Sequence, residues 1–337
     1  MMQTILPWQI KQWEVFKASL LNNKIAHAYL LVGLSGLGKL NFATVLSQIL
    51  LCEKINNQGF ACLNCQSCKL FQAKTHPDYQ LITPLEEGKI IKISQVRELI
   101  ESVTKTPQVS KYKVIVLSPA DAMNKAAANA LLKTLEEPAG NTIIILISNQ
   151  PHNLPATVQS RCSKIKFNVP AEAIASHWLI EQIEDKKEVK VLLKLAFGSP
   201  LKALAIKESV EFEYRRQWFT EWLAWQEGRI AFHEIVAKWQ EFPLEMVLNH
   251  WLTWLTDLLQ LALTGSNNFI INIDFTDSLC KLSERLNPYL LSKYVNYSQE
   301  KRNLLLSQVS VNSQLLLEDL LIKWQALLEA KENTHVG

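Results

Sequence analysis

The sequence predicts an α/β N-terminal domain built on a parallel sheet, a small helical segment after it, and an all-α C-terminal region. Three observations carry this prediction. Over residues 28–170, short and nearly continuous apolar runs alternate with helical patterns, as expected of strands covered on both faces by the helices between them. After Pro170 the strand-like runs stop. From about 208 to 331 the pattern is helical, with Trp and Leu recurring at helical spacing; core packing is the ordinary role of such a stripe.

The elements follow in order. "AYLLVG" (28–33) is the first strand, ending in a glycine-rich loop, and the segment after Gly38 is helical to about Leu51. "DYQLIT" (78–83) is the second strand, "ISQVRELIESV" (93–103) a helix and "KVIVLS" (113–118) the third strand. "DAMNKAAANALLKTLEE" (121–137) is a helix stopped by Pro138, before "TIIILIS" (142–148) and "KIKFNV" (164–169) as fourth and fifth strands. Residues 171–207 read as short helices with a turn at "FGSPLKAL" (197–204). The later helical region is interrupted once, by the polar "TGSNNFIINIDFTDS" (264–278), and residues 332–337 read as a frayed tail.

The bulk numbers narrow the function classes. A chain of 337 residues is long enough for two or three domains. Its 35 basic and 32 acidic residues leave a net charge of +3, so nucleic-acid binding would depend on local patches. The most apolar helix, residues 244–263, carries Glu245, Asn249, His250 and Asp257, each costly in lipid; a buried bundle helix is the better reading. The N-terminus lacks the basic start, apolar middle and small-residue cleavage site of a signal peptide. A cytoplasmic protein is expected.

"LVGLSGLGKLNFA" (31–43) contains a phosphate-loop pattern, Gly33-x4-Gly38-Lys39. A working loop follows the lysine with Ser or Thr, whose hydroxyl helps to hold Mg²⁺; here that position is Leu40. An acidic pair is expected after the third strand, but the sequence reads Ser118-Pro119. Asp121 lies three residues beyond the expected acid and is expected to cap the following helix. Two independent losses predict no productive ATP or Mg²⁺ site. Residual nucleotide binding stays open, and so does the plain alternative that Gly33, Gly36 and Gly38 only keep a turn.

Four of the six cysteines form Cys52-x9-Cys62-x2-Cys65-x2-Cys68. In a reducing compartment this pattern reads as four thiolates for a closed, structural Zn²⁺ site that would fold the polar insert between them. An iron–sulfur cluster and free thiols are the alternatives. Cys162 and Cys280 are expected to pack as small apolar groups. Arg97, Lys105, Lys111 and Lys113 make a loose basic stretch around the third strand, for which a solvated surface is the default. His27 and His76 are expected to be structural, and no Ser-His-Asp or Cys-His constellation stands out.

"NALLKTLEEPAGNTIIILISNQPHNLPATVQSRC" (129–162) is a long and specific run. With the degenerate loop and the cysteine cluster, it resembles the clamp-loader branch of the AAA+ ATPases that serves bacterial DNA polymerase III. The likeness is strong over 24–170; over 171–331 it rests on size and helix pattern. It implies an AAA+/RecA-like P-loop domain (1–170) with an inserted zinc module (52–68), a helical lid (171–207) and a C-terminal collar used in oligomerisation (208–331). It also implies that the "SRC" residues Ser160, Arg161 and Cys162 lend an arginine finger, Arg161, to ATP held by a neighbouring subunit. The planar, permanently charged guanidinium suits phosphate oxygens, although a lone arginine there would ordinarily make a surface ion pair.

The implied role is a non-catalytic stator in a heteropentamer with gamma/tau ATPase subunits and a delta subunit, acting on the beta sliding clamp and primer-template DNA within the polymerase III holoenzyme. Arg97 is the candidate DNA-facing residue. Where active relatives sense the γ-phosphate, Ser148 or Asn149 stands, and where they place a lid arginine, Leu201 stands with Lys202 beside it. Competing readings are a weak ATPase using Lys39, and a zinc-dependent nucleic-acid-binding protein acting alone.

Overall fold

The computed structural model describes residues 4–86, 90–138, 140–306 and 311–332. The chain divides into two compact units: residues 1–178 together with 199–202, and residues 179–198 together with 203–337. Residues 171–207 are therefore shared between the two units.

The first unit is a five-stranded, wholly parallel sheet in the order β2-β3-β4-β1-β5, with β1 at Ala28–Val32, β2 at Tyr79–Ile82, β3 at Lys113–Leu117, β4 at Thr142–Ser148 and β5 at Ser163–Lys166. All five expected strands are present; β5 begins one residue early and ends three early. The central register pairs Leu30 with Leu146 and Ile144 with Ile115. Alternation splits each strand between two cores. Tyr29, Leu31, Val114, Val116, Ile143, Ile145 and Ile147 face one cluster, while Leu30, Ile115, Leu117, Ile144 and Leu146 face the other. Helices α1 (Ile10–Leu21), α2 (Lys39–Leu51), α3 (Gln66–Gln72), α4 (Ile93–Val103), α5 (Lys125–Glu136) and α6 (Ala156–Gln159) belong to this unit. β1 lies between β4 and β5, while the chain leaving it reaches β2 at the far edge. Such a reversal at the carboxyl ends of strands is where open α/β sheets place ligands.

One boundary differs from expectation. Asp121 does not cap α5. The cap is Asn124, whose side chain accepts from the Ala127 amide at 2.8 Å. Asp121 lies in a short 3₁₀ turn at Ala120–Ala122 and accepts instead from the Asn149 amide, at 2.8 Å.

α7 (Glu172–Ile180), α8 (Glu188–Leu195) and α9 (Pro200–Glu208) follow, then α10 (Glu211–Gln226), α11 (Phe232–Trp239), α12 (Leu244–Thr264), α13 (Thr276–Ser283), α14 (Pro288–Leu306) and α15 (Ser313–Glu332). The expected frayed tail, 332–337, lies outside the described residues apart from Glu332. The Trp stripes are core, as expected: Trp218, Trp222, Trp239, Trp251, Trp254 and Trp324 are fully buried. Trp222 touches Trp251, Trp254 and Trp324 at centroid distances of 4.9, 5.5 and 5.1 Å. Among the described residues, no helix is long and apolar enough to cross a membrane.

The polar interruption at 264–278 is pinned rather than loose. Asp257, in α12, accepts from the amides of Ile271 and Asn272 and from the Asn272 side chain. Fully buried Arg215 donates to Asn272 Oδ1 and to both oxygens of Asp274. A buried guanidinium needs acceptors and a counter-charge of this kind.

Candidate functional site

The loop after β1 is the first expected site. Lys39, at the start of α2, is 4% exposed. Its ammonium donates to Gly33 O at 2.6 Å, Leu34 O at 2.7 Å and Asn149 Oδ1 at 2.8 Å. An ammonium has three protons, and all three have acceptors within this chain. Burial pulls its pKa down to about 8, against the opposing pull of the Asp121 carboxylate. Leu40 is 41% exposed and brings no hydroxyl. β3 runs out into Ser118 and Pro119, so no carboxylate stands at its end.

The loop's outer side is occupied by the chain itself. Gln9, fully buried, donates to Leu37 O and Gly38 O, both at 2.9 Å, and the Trp8 indole donates to Leu37 O. The Leu201 amide donates to Gly36 O. A Cβ on Gly36 would lie 2.5 Å from Lys202 Cβ, and one on Gly38 would lie 2.6 Å from Leu6 Cδ1 and 2.7 Å from Gln9 Nε2. Both glycines also hold positive φ, +79° and +76°, where a side chain is strained. The Lys202 backbone therefore requires glycine at position 36, and the positive φ favours it at position 38.

The second site is the cysteine cluster. The sulfurs of Cys52, Cys62, Cys65 and Cys68 all lie within 4.8 Å of one another. Cys52–Cys65 and Cys62–Cys68 are each 4.0 Å apart. A tetrahedral zinc with Zn–S bonds of about 2.3 Å sets its sulfurs about 3.8 Å apart, so the four thiols fit such an ion. The amides of Cys62, Cys65 and Cys68 donate to the sulfurs of Cys52, Cys62 and Cys65, an outer shell that favours thiolate ligands. Amides of Asn64 and Cys65 hold the Cys62 thiol down at about 6, whereas burial raises Cys52 and Cys68. Trp13 of α1 stacks on Phe60 of the insert at 4.6 Å.

The insert is tied to the sheet by a buried polar hub. Ser67 and Ser110 both donate to Leu51 O, at the end of α2, and both touch His76 Nε2, at 2.9 and 3.1 Å. His76 thus has serine partners that its sequence neighbourhood did not reveal. It is still no catalytic base. Its Nδ1 accepts from the Asp78 amide, so the neutral ring carries its proton on Nε2, facing the serines. The Asp78 carboxylate accepts from three consecutive amides, those of Gln108, Val109 and Ser110, at 2.7–2.9 Å.

The third site is Arg161, just after α6. Its Nε donates to Glu136 Oε1 at 2.7 Å, its Nη2 makes an ion pair with the same oxygen, and its Nη1 donates to Thr157 O at 2.8 Å. The Arg161 side chain is 32% exposed. Ser160 closes on Thr157 O. Cys162 is half-buried against the sheet core, where it packs as a small apolar group, donates to Val158 O, and is pushed up to about 11 by burial.

Comparison with known proteins identifies the family. A family profile described as "DNA polymerase III, delta subunit" matches residues 8–171, and one described as "DNA polymerase III, delta subunit, C terminal" matches 211–326. The DNA polymerase III subunit delta′ of Pseudomonas aeruginosa is 34% identical over 97% of this chain and 99% of its own. That of Escherichia coli K12 is 31% identical over 96% of both. The chain belongs to the delta′ family of DNA polymerase III clamp-loader subunits. Among solved structures, a DNA polymerase III gamma-subunit-related protein of Thermotoga maritima aligns over 94% of this chain and 99% of its own, with TM-score 0.45 and 19% identity.

Membership of the delta′ family leaves the individual basic residues to be judged by geometry. Arg97 is exposed on α4, in line with a surface role. Lys113 departs from expectation: it is 7% exposed, and its ammonium is spent on Ser102 O and Lys105 O at the end of α4. It caps a helix and does not belong to a basic surface. Sequence reasoning missed Trp8, Gln9 and Glu136. Gln9 carries no local signal, since its partners lie 28 and 29 residues away. Glu136 sits inside the quoted "LLKTLEEP" run, where the motif alone gave it no task.

Proposed function

We propose that this chain is the non-catalytic stator of a DNA polymerase III clamp loader, and that it completes the ATP site of a neighbouring ATPase subunit with Arg161. The observation that carries the reading is the contrast between the two ends of the chemistry. Lys39 is saturated by two carbonyls of its own loop and by Asn149, beside an exposed Leu40 and a strand end without a carboxylate. Arg161 is partly exposed on a short loop and retains unused donors. A phosphoryl-transfer site needs the metal-organising groups that the first lacks, and gains orders of magnitude from an arginine delivered in trans.

In this reading, Gly33, Gly38 and Lys39 are fold elements, and nucleotide turns over only on the gamma/tau-type partners. Cys52, Cys62, Cys65 and Cys68 hold one structural Zn²⁺, which would staple the insert and supply no reaction chemistry, since four protein ligands close the coordination sphere. The lid (171–207) and collar (208–331) join this subunit to its gamma/tau and delta neighbours, the collar through its helices. Contacts with the beta clamp and primer-template DNA come through the assembly, with Arg97 as the DNA-facing residue of this chain.

The test is ATP turnover by a loader reconstituted with clamp and primed DNA. The isolated chain should be inactive, and Arg161→Ala should assemble normally yet lower the loader's turnover about tenfold or more. Turnover by the isolated chain, or an unaltered rate with Arg161→Ala, would overturn the proposal.

A further inference from the structure

Glu136 has no place in the reading above, yet it makes the closest contact to the residue on which that reading depends. It is the last residue of α5. A carboxylate there faces the negative end of the helix dipole and is locally disfavoured. Its partner is Arg161, which it meets along one edge of the guanidinium, Nε and Nη2 sharing Oε1. On the other side, Nη1 donates to Thr157 O, one of the last carbonyls of α6. Arginine has five N–H donors in a rigid plane. Three are engaged, and one each on Nη1 and Nη2 remain.

We infer that Glu136 is a positioning residue for Arg161. It holds the guanidinium from the side while the remaining Nη1 and Nη2 donors are offered to anionic phosphate oxygens of a nucleotide on another subunit; this rests on the reading of Arg161 as the lent arginine. The two ends of α5 and α6 together replace the wide rotamer freedom of an exposed arginine with one orientation. Pre-organisation of this kind raises the rate by reducing what must be ordered as the transition state forms. Exposed ion pairs add little to stability, so removing this one leaves the fold intact and exposes any effect on the reaction.

The experiment is a double-mutant cycle in the reconstituted loader with clamp and primed DNA, reading kcat and KM for ATP. Glu136→Ala and Glu136→Gln should each lower kcat about 3- to 10-fold with little change in KM. Glu136→Asp should restore part of the loss, and thermal unfolding and assembly should be unchanged. Added to Arg161→Ala, Glu136→Ala should have no further effect. An Arg161→Ala loader with an unaltered rate would sink the arginine reading itself. If Arg161→Ala is slow but Glu136→Ala is as fast as wild type or faster, Glu136 is a competing counter-ion and the inference fails alone. An equal loss from Glu136→Ala in both backgrounds would also overturn it, because the effect would not pass through Arg161.

Discussion

Replacing Asp78 by Asn tests the hub that joins the cysteine insert to the sheet. Asp78 is 1% exposed, and its two oxygens accept from the amides of Gln108, Val109 and Ser110 at 2.7, 2.8 and 2.9 Å. Asn keeps the shape and one acceptor oxygen. Its amide nitrogen must face either Gln108 N–H or the Val109 and Ser110 pair, so at least one buried donor is left facing another donor. An unpaired buried donor costs about 1–3 kcal/mol, and the surviving bonds lose charge assistance. A total of about 3 kcal/mol is expected, or a fall of roughly 6–12 °C in the unfolding transition of the α/β unit.

Acid pH supplies the second arm. Burial alone would raise the Asp78 pKa, but the three amides bring it below its ordinary 3.8. A depressed folded value means a contribution that is present above pH about 3.8 and lost as pH falls through the folded value. The gap between wild type and Asp78→Asn should therefore be full at pH 5–7 and close on acidification below about 4. Urea unfolding across that range, followed in both variants, is the assay. A cost under about 1 kcal/mol at neutral pH, or a gap that stays constant in acid, would refute the view of Asp78 as a charged hub.

Three further outcomes are expected. On the zinc reading proposed above, Cys65→Ser should retain less Zn²⁺ than the wild type and lower the melting point of the α/β unit by about 5 °C or more, given how strongly structural zinc couples to folding; elemental analysis beside thermal unfolding checks both. Leu40→Thr should still bind no ATP analogue with a Kd below about 1 mM, because Lys39 stays saturated and β3 still ends without a carboxylate; titration with a fluorescent analogue would reveal the contrary. Trp222→Ala removes a fully buried ring that touches three other tryptophans, and should cost about 3–5 kcal/mol, seen in the helical unit's calorimetric transition and absent from that of the α/β unit.

The sequence by itself determined the parallel sheet, the order of its strands and helices along the chain, the tryptophan core and the cysteine centre. Each is written in a local pattern. Apolar runs of strand length, Trp and Leu at helical spacing, and thiols two residues apart need no distant partner to be legible. The losses at Leu40 and at Ser118-Pro119 were equally local, because a motif position either carries the needed oxygen or does not.

Tertiary structure alone decided what the retained polar groups do. Lys39 reads as a phosphate ligand until Asn149, 110 residues away, is seen to accept one of its hydrogen bonds. Lys113 reads as a basic surface residue until it is seen beneath the end of α4. Asp121 reads as a helix cap, but its partner is the Asn149 amide, 28 residues further on. Arg161 is singled out by its motif, whereas its partner Glu136 is not. The physical reason is the same in each case. A buried or half-buried charge must find acceptors or a counter-charge. Which groups supply them is fixed by the packing of distant elements, and no local periodicity encodes it.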